Sequence, residues 1–312
     1  MKEKVFLTGG TGFIGSHLVP ELIKRGYEVY VLERQTSTRY IELKNARVVY
    51  GDLRDFYAIK YWIDRISPDY VIHLGAITPV AYSYNHPQEV MEVNLIGTVN
   101  LAQACLLKES IKQFLFASTS EVYGNNGHNV QKEENPLRPE SPYAVSKVAC
   151  ENYLMYLYRA YRFPVTILRP FNTYGRKRSV HFLIERTIYQ MLTGDKVLLG
   201  DPKKIRDWLY VEDHVNAYLT CLGKEETIGE VFNFCTGKGY TIEQTVNLIA
   251  ELIGFKGDIL WYRTPLRPIE SDIIIGDYTK AFMKLGWSPK YSLEEGLKKT
   301  IEYWRKRVKS WG

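Results

Sequence analysis

The sequence predicts a doubly wound α/β fold, a parallel sheet covered by helices on both faces, with a smaller α+β lobe. Three observations carry this. An apolar strand, Lys4-Val5-Phe6-Leu7, runs into a glycine-rich turn and then directly into a helical pattern with Phe13, Ile14, Leu18, Leu22 and Ile23 apolar. Strand and helix patterns keep alternating as far as Leu168, the order that builds a parallel sheet. Tyr70-Val71-Ile72-His73-Leu74 is apolar without alternation, as strands covered on both faces are.

Taken in order, Gly26 ends the first helix and residues 27–32 form the second strand. Residues 47–50 are the third strand, and residues 55–66 are helical. Residues 70–74 are the fourth strand, ending at Gly75-Ala76. A long helix over 87–107 leads to the fifth strand, 114–117, which runs into Ser118-Thr119-Ser120-Glu121. Residues 142–161 form another long helix with proline suitably at its start, and 165–168 are the sixth strand. After Pro170 the alternation breaks up. A helix is expected over 182–192, a short strand over 196–199, a helix over 211–222 and a buried strand over 231–234. Thr241-x-x-Gln244 resembles a capping box opening a helix to Ile253, and Ser292-x-x-Glu295 opens the last helix. The expected division is a Rossmann-type domain from residues 1–170 and about 209–238. A second, ligand-binding lobe takes about 171–208 and 239–312. No internal repeat is present.

With 312 residues, 45% hydrophobic and 24% charged, the chain is long enough for two lobes. No apolar run approaches a membrane span, and no signal peptide is expected. Cys105, Cys150, Cys221 and Cys235 are scattered without a C-x-x-C pair, which suggests reduced thiols in a cytoplasmic protein and no metal site. The net charge of +6 gathers in Lys298-Lys299 and Arg305-Lys306-Arg307-Lys309. This reads as a solvated helix face rather than a nucleic-acid surface. An anionic ligand is the other natural use of surplus arginine.

Gly10, Gly12 and Gly15 fit G-x-G-x-x-G, and Gly9, Gly12 and Gly15 fit the wider G-x-x-G-x-x-G. Between a strand and a helix start, such glycines let the backbone approach a pyrophosphate held by free helix N–H groups. A dinucleotide is therefore expected on Gly9, Gly12, Phe13, Ile14 and Gly15, with Leu74 and Ala76 from the end of the fourth strand. Glu33 closes the second strand, where a carboxylate would accept both ribose hydroxyls and favour NAD over a 2′-phosphate. Arg34, followed by Gln35-Thr36-Ser37-Thr38-Arg39, supplies what a 2′-phosphate needs and keeps NADP open.

Tyr143 and Lys147 stand one turn apart on one helical face. An ammonium beside a phenol favours the phenolate, which can take a hydroxyl proton while hydride leaves the same carbon. Glu121 lies just past the fifth strand, where a carboxylate can act as a general base, and Thr119 can bond a sugar hydroxyl or its keto product.

The chain resembles the extended short-chain dehydrogenase/reductases acting on nucleotide sugars. The resemblance runs through Gly9 to Gly15, Asp52-Leu53, Asn94-x-x-Gly97-Thr98, Tyr143 with Lys147, and Arg169-Pro170-x-Asn172-x-Tyr174-Gly175. Thr119-Ser120-Glu121 is similar to the 4,6-dehydratases. The GDP-mannose enzymes and the UDP-N-acetylglucosamine enzymes of the legionaminic-acid type carry Thr-Ser-Glu, and the dTDP-glucose enzymes carry Thr-Asp-Glu. Epimerases usually lack this glutamate. UDP-glucuronate decarboxylases share it but usually have Tyr-Asp-Glu-Gly-Lys where this chain has Tyr-Ala-Val-Ser-Lys.

The resemblance implies a cofactor site that includes Asp52 and Leu53. It implies a catalytic group of Thr119, Ser120, Glu121, Tyr143 and Lys147, and substrate contacts from Ser83, Asn94, Thr119, Asn172, Arg206 and Arg267, the two arginines clamping a diphosphate. Ser120 stands where the dTDP-glucose branch has the aspartate that protonates the leaving hydroxyl, so Glu121 is the other candidate for that proton. Arg267 to Asp277 looks like the GDP-mannose branch. Asn172 to Gly175 and Ser292 to Leu297 look like the UDP-N-acetylglucosamine branch. The long helices over 87–107 and 142–161 carry apolar residues on more than one face, and by resemblance they pair with a second copy in a four-helix bundle. A 4-epimerase or decarboxylase on the same fold is the alternative, and a non-catalytic cofactor-sensing protein a remote one.

Overall fold

The computed structural model describes residues 2–34, 43–108, 110–177, 179–264 and 267–309. The first part of the chain forms β1 (Lys4–Thr8), α1 (Phe13–Lys24), β2 (Glu28–Glu33), β3 (Arg47–Tyr50), α2 (Phe56–Ile66), β4 (Tyr70–His73), α3 (Val80–Asn85), α4 (Pro87–Met91), α5 (Gly97–Lys108), β5 (Gln113–Ala117), β6 (Val130–Gln131), α6 (Pro142–Tyr161) and β7 (Val165–Pro170). The remainder forms β8 (Asn172–Tyr174), α7 (Leu183–Thr193), β9 (Lys196–Leu198), β10 (Ile205–Tyr210), α8 (Val211–Cys221), β11 (Val231–Phe234), β12 (Gly239–Thr241), α9 (Ile242–Ile253), β13 (Asp258–Leu260), β14 (Ile273–Gly276), α10 (Thr279–Leu285) and α11 (Leu293–Lys309).

Seven parallel strands make the main sheet, in the order β11-β7-β5-β4-β1-β2-β3. Alternate residues of β1 feed two different cores. Val5 and Leu7 meet Leu18, Val19 and Leu22 of α1 on one face, while Phe6 joins Ile59 and Ile63 of α2 and Leu154 of α6 on the other. The strand order reverses between β1 and β4, and their ends pair at Thr8 and His73. A crevice opens beyond strand ends at such a reversal. The glycine turn after β1 and Gly75 after β4 flank it.

A second sheet, β12-β10-β14-β6 with β8 on β10, forms the smaller lobe. It draws Val130 and Gln131 from the first half, pairing them with Ile275 and Gly276, so this stretch lies outside the domain expected for residues 1–170. Strand β10 runs on to Tyr210 before α8 begins, two residues past the expected end of that segment at about 208. The capping box at Thr241 and Gln244 is present, and Ser292 and Glu295 bond reciprocally at the start of α11.

The helix expected over 87–107 carries a π turn, Glu92–Ile96, between α4 and α5. From Pro87 to Lys108 it has 22 residues and the length and composition of a membrane span. A reading that sought one unbroken apolar run passed it over, because Glu92, Asn94 and Asn100 punctuate it. About half of it is buried against the rest of the protein.

Candidate active site

Gly9 takes a positive φ of 72°, and Gly12 N donates to Gly9 O at 3.0 Å, closing the turn. A Cβ on Gly9 would lie 2.9 Å from Gly75 N, and one on Gly15 would lie 2.3 Å from Gly9 O. The turn is therefore packed against both β4's exit and its own helix. Gly12 is the N-cap of α1 and offers no side-chain cap, so the N–H groups at Phe13 and Ile14 remain free for an anion. Glu33, at the end of β2, accepts from Thr11 Oγ1, which brings its carboxylate over the turn. Arg34 is exposed, and its charge helps lower the Asp52 carboxyl, which Arg54 chiefly holds below the usual range through a two-point bond. The Gln35–Arg39 stretch considered for a 2′-phosphate lies outside the described residues. Leu53 is buried and its carbonyl accepts from Asn100. Leu74 and Ala76 follow β4 beside Gly75, where Leu74 N donates to Thr8 O at 3.2 Å.

Behind this crevice, Thr8 Oγ1 accepts from Gly75 N at 2.9 Å and so has its proton for His73 Nδ1, 2.7 Å away. Thr98 donates to Asn94 O, which leaves its oxygen to accept from His73 Nε2 at 2.9 Å. The network fits a neutral Nε2–H imidazole, and burial pushes the His73 pKa down to about 3. Two expected substrate contacts are absorbed by the protein here. Asn94 is 1% exposed, accepts from Ile77 N at 2.8 Å, and donates to Ile77 O and Ser146 Oγ. The π turn aims it inward, where it clamps the loop after β4 to α6. Ser83 is fully buried, and its hydroxyl donates to Val80 O at 2.7 Å within α3.

Ser141 caps α6 by accepting from Ala144 N, and the first turns of that helix present Tyr143 and Lys147, both buried. Burial raises the Tyr143 phenol above its ordinary range, while a hydrogen bond with Thr119 pulls it back. Lys147, one turn further along, is held against the end of β5. Its Nζ donates to Ala117 O at 2.7 Å and lies 4.7 Å from the Phe116 ring centre. Burial pushes it down to about 8. The charge of Arg176 also lowers Tyr143. No motif marked Arg176, which packs over Phe13 at 4.4 Å and Phe182 at 3.5 Å. Thr119 opens a 3₁₀ turn, Ser120–Val122, and accepts from Glu121 N at 3.2 Å. Ser120 is 2% exposed. The Glu121 carboxylate is partly exposed and makes no hydrogen bond or ion pair among the described residues, yet its charge is felt by both Tyr143 and Arg206.

Across the cleft, Asn172 pairs with Trp208 in register, and its Oδ1 is buried with no partner among the described residues. Arg206 is 5% exposed. Glu270 Oε1 sits 3.3 Å from Arg206 Nη2 and 3.5 Å from Arg267 Nη1, so the two expected diphosphate ligands share one carboxylate. Arg186 of α7 is a third guanidinium here that sequence reading missed. Burial and the Arg267 charge both lower it, and its Nε has no partner among the described residues.

A phosphate-binding glycine turn at the reversal of a parallel sheet, facing a Tyr-x-x-x-Lys helix and a basic second lobe, defines an extended short-chain dehydrogenase/reductase. The chain belongs to the GDP-mannose 4,6-dehydratase family, whose model matches residues 6–300. It is 31% identical to the dTDP-D-glucose 4,6-dehydratase of Mus musculus over 99% of this chain and 90% of that protein. The UDP-glucose 4-epimerase of Thermotoga maritima, solved with UDP-glucose, superposes with a TM-score of 0.91 at 35% identity, covering 98% of this chain and 99% of that one. The Thermus thermophilus UDP-glucose 4-epimerase, solved with NAD, gives 0.88 at 32% identity over 97% and 99%.

Proposed function

We propose that the protein is a nucleotide-sugar 4,6-dehydratase working on a bound nicotinamide dinucleotide. Glu121 carries this reading: a carboxylate without a hydrogen-bond or ion-pair partner among the described residues, near enough for its charge to act on Tyr143 and Arg206, is accounted for by abstraction of a C5 proton. The glycine turn suits a pyrophosphate, since a Cβ on Gly9, Gly12 or Gly15 would press on neighbouring backbone and open the tight turn that leads into the free helix N–H groups. Glu33, drawn over that cradle by Thr11, favours NAD, because a 2′-phosphate there would meet its charge. The Thermus relative solved with NAD supports the same choice.

When bound, the nicotinamide supplies the acceptor for hydride from C4 and its return to C6. Tyr143 takes the C4 hydroxyl proton, and Thr119 holds the oxygen as it becomes a ketone. The positive charge of Arg176 favours the phenolate this needs. The C4 ketone acidifies the C5 hydrogen, which Glu121 removes. Hydroxide then leaves C6 as water, taking a proton. Ser120, buried and neutral, is a poor acid, so Glu121 returns the proton it has just taken. The enolate that remains once C6 is reduced takes a proton at C5, which balances the one Tyr143 took from the C4 hydroxyl, and the product is a 4-keto-6-deoxy sugar. Arg206, Arg267 and Arg186 take the diphosphate, and Asn172 Oδ1 accepts from a sugar hydroxyl. The sequence branches point to UDP-N-acetylglucosamine or GDP-mannose, and the mouse relative brings dTDP-glucose into the test.

The likeness to the Thermotoga epimerase supports one competing reading, 4-epimerisation, in which Glu121 is idle. Incubation with UDP-N-acetylglucosamine, GDP-mannose, dTDP-glucose and UDP-glucose separates the two by mass. Loss of one water supports dehydration, and an isomer of unchanged mass refutes it. A two-fold dimer is part of the proposal. Ile96, Leu107, Val145, Tyr156 and Tyr161 are exposed on the α5 and α6 helices and the π turn, and a monomer in sedimentation at micromolar concentration would refute the dimer.

A further inference from the structure

We propose that Glu151, together with Arg169, is a positioning residue that ties both ends of the segment carrying Thr119, Ser120 and Glu121 to helix α6. The inference rests on the reading of Tyr143 and Glu121 given above. Glu151 lies one turn beyond Lys147 and two beyond Tyr143, so the three share a face of α6.

The last ladder pair of β5 is Ala117 with Leu168, and Ser118 N still reaches Leu168 O at 2.8 Å. Beyond that point the strand has no neighbour in the sheet to direct it. Two side chains of α6 take over. Lys147 Nζ donates to Ala117 O, and Ser118 Oγ donates to Glu151 Oε1. The next residue is Thr119.

A carboxylate with only 4% of its side chain exposed needs a counter-charge. Arg169 supplies it through a fork, Nε to Oε1 at 3.0 Å and Nη2 to Oε2 at 2.6 Å. The remaining nitrogen of Arg169, Nη1, donates to Tyr123 Oη at 2.8 Å and to Glu133 O at 3.1 Å. Tyr123 in turn donates to Asn233 Oδ1 at 2.7 Å. Ser118 in front and Tyr123 behind are thus bonded to the two halves of one buried ion pair. The segment between them carries the groups that must meet Tyr143. A buried pair of this kind is weak evidence for stability; its geometry is what fits a positioning role.

The same carboxylate sets the surroundings of Lys147. That ammonium faces Glu151 and Cys150 on its own helix, His73 of β4, and the Phe116 ring of β5. The Glu151 charge works against the burial that lowers the Lys147 pKa, while burial keeps the Cys150 thiol protonated. Neutralising Glu151 therefore makes Lys147 lose its proton at lower pH.

The test uses Glu151→Gln, Glu151→Asp, Arg169→Lys and Tyr143→Phe, with NAD and the four nucleotide sugars named above as probes. Glu151→Gln should lower kcat by about ten- to a hundredfold, the scale of a small misplacement. KM and NAD affinity should stay near wild type. The alkaline limb of kcat should move to lower pH, and amide exchange over residues 118–123 should quicken. Glu151→Asp should restore the limb. Arg169→Lys keeps the charge and loses the fork, so it should slow turnover and quicken exchange without moving the limb; it also serves if Glu151→Gln fails to fold. Wild-type kcat, limb and exchange in Glu151→Gln would overturn the inference. If Tyr143→Phe is inactive in that case, the inference alone falls. If Tyr143→Phe keeps full activity, the underlying reading falls with it. If no probe is turned over, unchanged exchange over 118–123 still overturns the proposal.

Discussion

Two glycines of the turn after β1 give the same expected loss for an added methyl group but differ in whether it can be relieved. On Gly15 a Cβ would lie 2.3 Å from Gly9 O, 2.5 Å from Gly10 Cα and 2.6 Å from Gly10 O. All three are backbone atoms of the turn, so α1 must move away by about 1 Å to reach ordinary contact. On Gly10 the nearest atoms are Val31 Cγ1 at 2.5 Å and Cγ2 at 2.9 Å, both side-chain methyl carbons. Overpacking of this size costs about 1–3 kcal/mol. Expressed wholly in the cofactor site, that is roughly a five- to 150-fold weaker Kd. Gly15→Ala should show this loss, because the N–H groups of Phe13 and Ile14 move with the helix. Gly10→Ala should show a loss that Val31→Ala relieves in the double variant. The assay is titration of cofactor-stripped protein with NADH, followed by nicotinamide fluorescence, with thermal unfolding alongside. Wild-type affinity in Gly15→Ala, or its rescue by Val31→Ala, would refute the reasoning.

Further outcomes follow from other parts of the structure. Glu121→Gln should still show a transient rise in nicotinamide absorbance with substrate but release no water; full dehydration by this variant would remove Glu121 from its role. His73 and His214 are buried with pKa values near 3, below the unfolded value of about 6.5. Neither side chain is charged above that pH, and as pH falls the unfolded chain takes the proton first. Each then costs about 2 kcal/mol of stability at pH 5. The melting temperature should fall between pH 7 and 5, and His73→Gln should flatten the fall; an unchanged slope in that variant counts against the assignment. Glu270→Gln should let inorganic phosphate raise the melting temperature more than it does in the wild type, and an equal response would show that Glu270 does not compete for the arginines.

Features written as contiguous strings were legible in the sequence. The glycine turn, Glu33 at the end of β2 and the Tyr143 helix each depend on neighbours a few residues away. Asn94 was expected at the substrate because of the motif it shares with the family, and a motif does not show that a π turn, Glu92–Ile96, directs this side chain onto Ile77 and Ser146. The phase shift of that turn also contributes to the apolar residues on several faces of the helix. Arg176 and Arg186 belong to no motif. Their importance comes from packing on Phe13 and Phe182 in one case and from proximity to Arg267 in the other, both set by tertiary contact. The pairing of β6 with β14 joins Val130 to Ile275, far apart in the chain, and a two-residue strand has no pattern to read.

Glu270 gives the proposed diphosphate site a resting occupant. On the proposed function, a diphosphate arriving at Arg206 and Arg267 would have to displace the carboxylate that already spans them. Charge is therefore exchanged rather than newly neutralised, and a ligand able to engage only one arginine leaves Glu270 holding the other. The displaced residue belongs to a short stretch whose neighbours are fastened elsewhere. Tyr84 Oη donates to Ile269 O, and Ser271 Oγ donates to Glu140 Oε2. On that reading, arrival of the diphosphate would release the Glu270 side chain from both arginines while Ile269 and Ser271 stay pinned on either side.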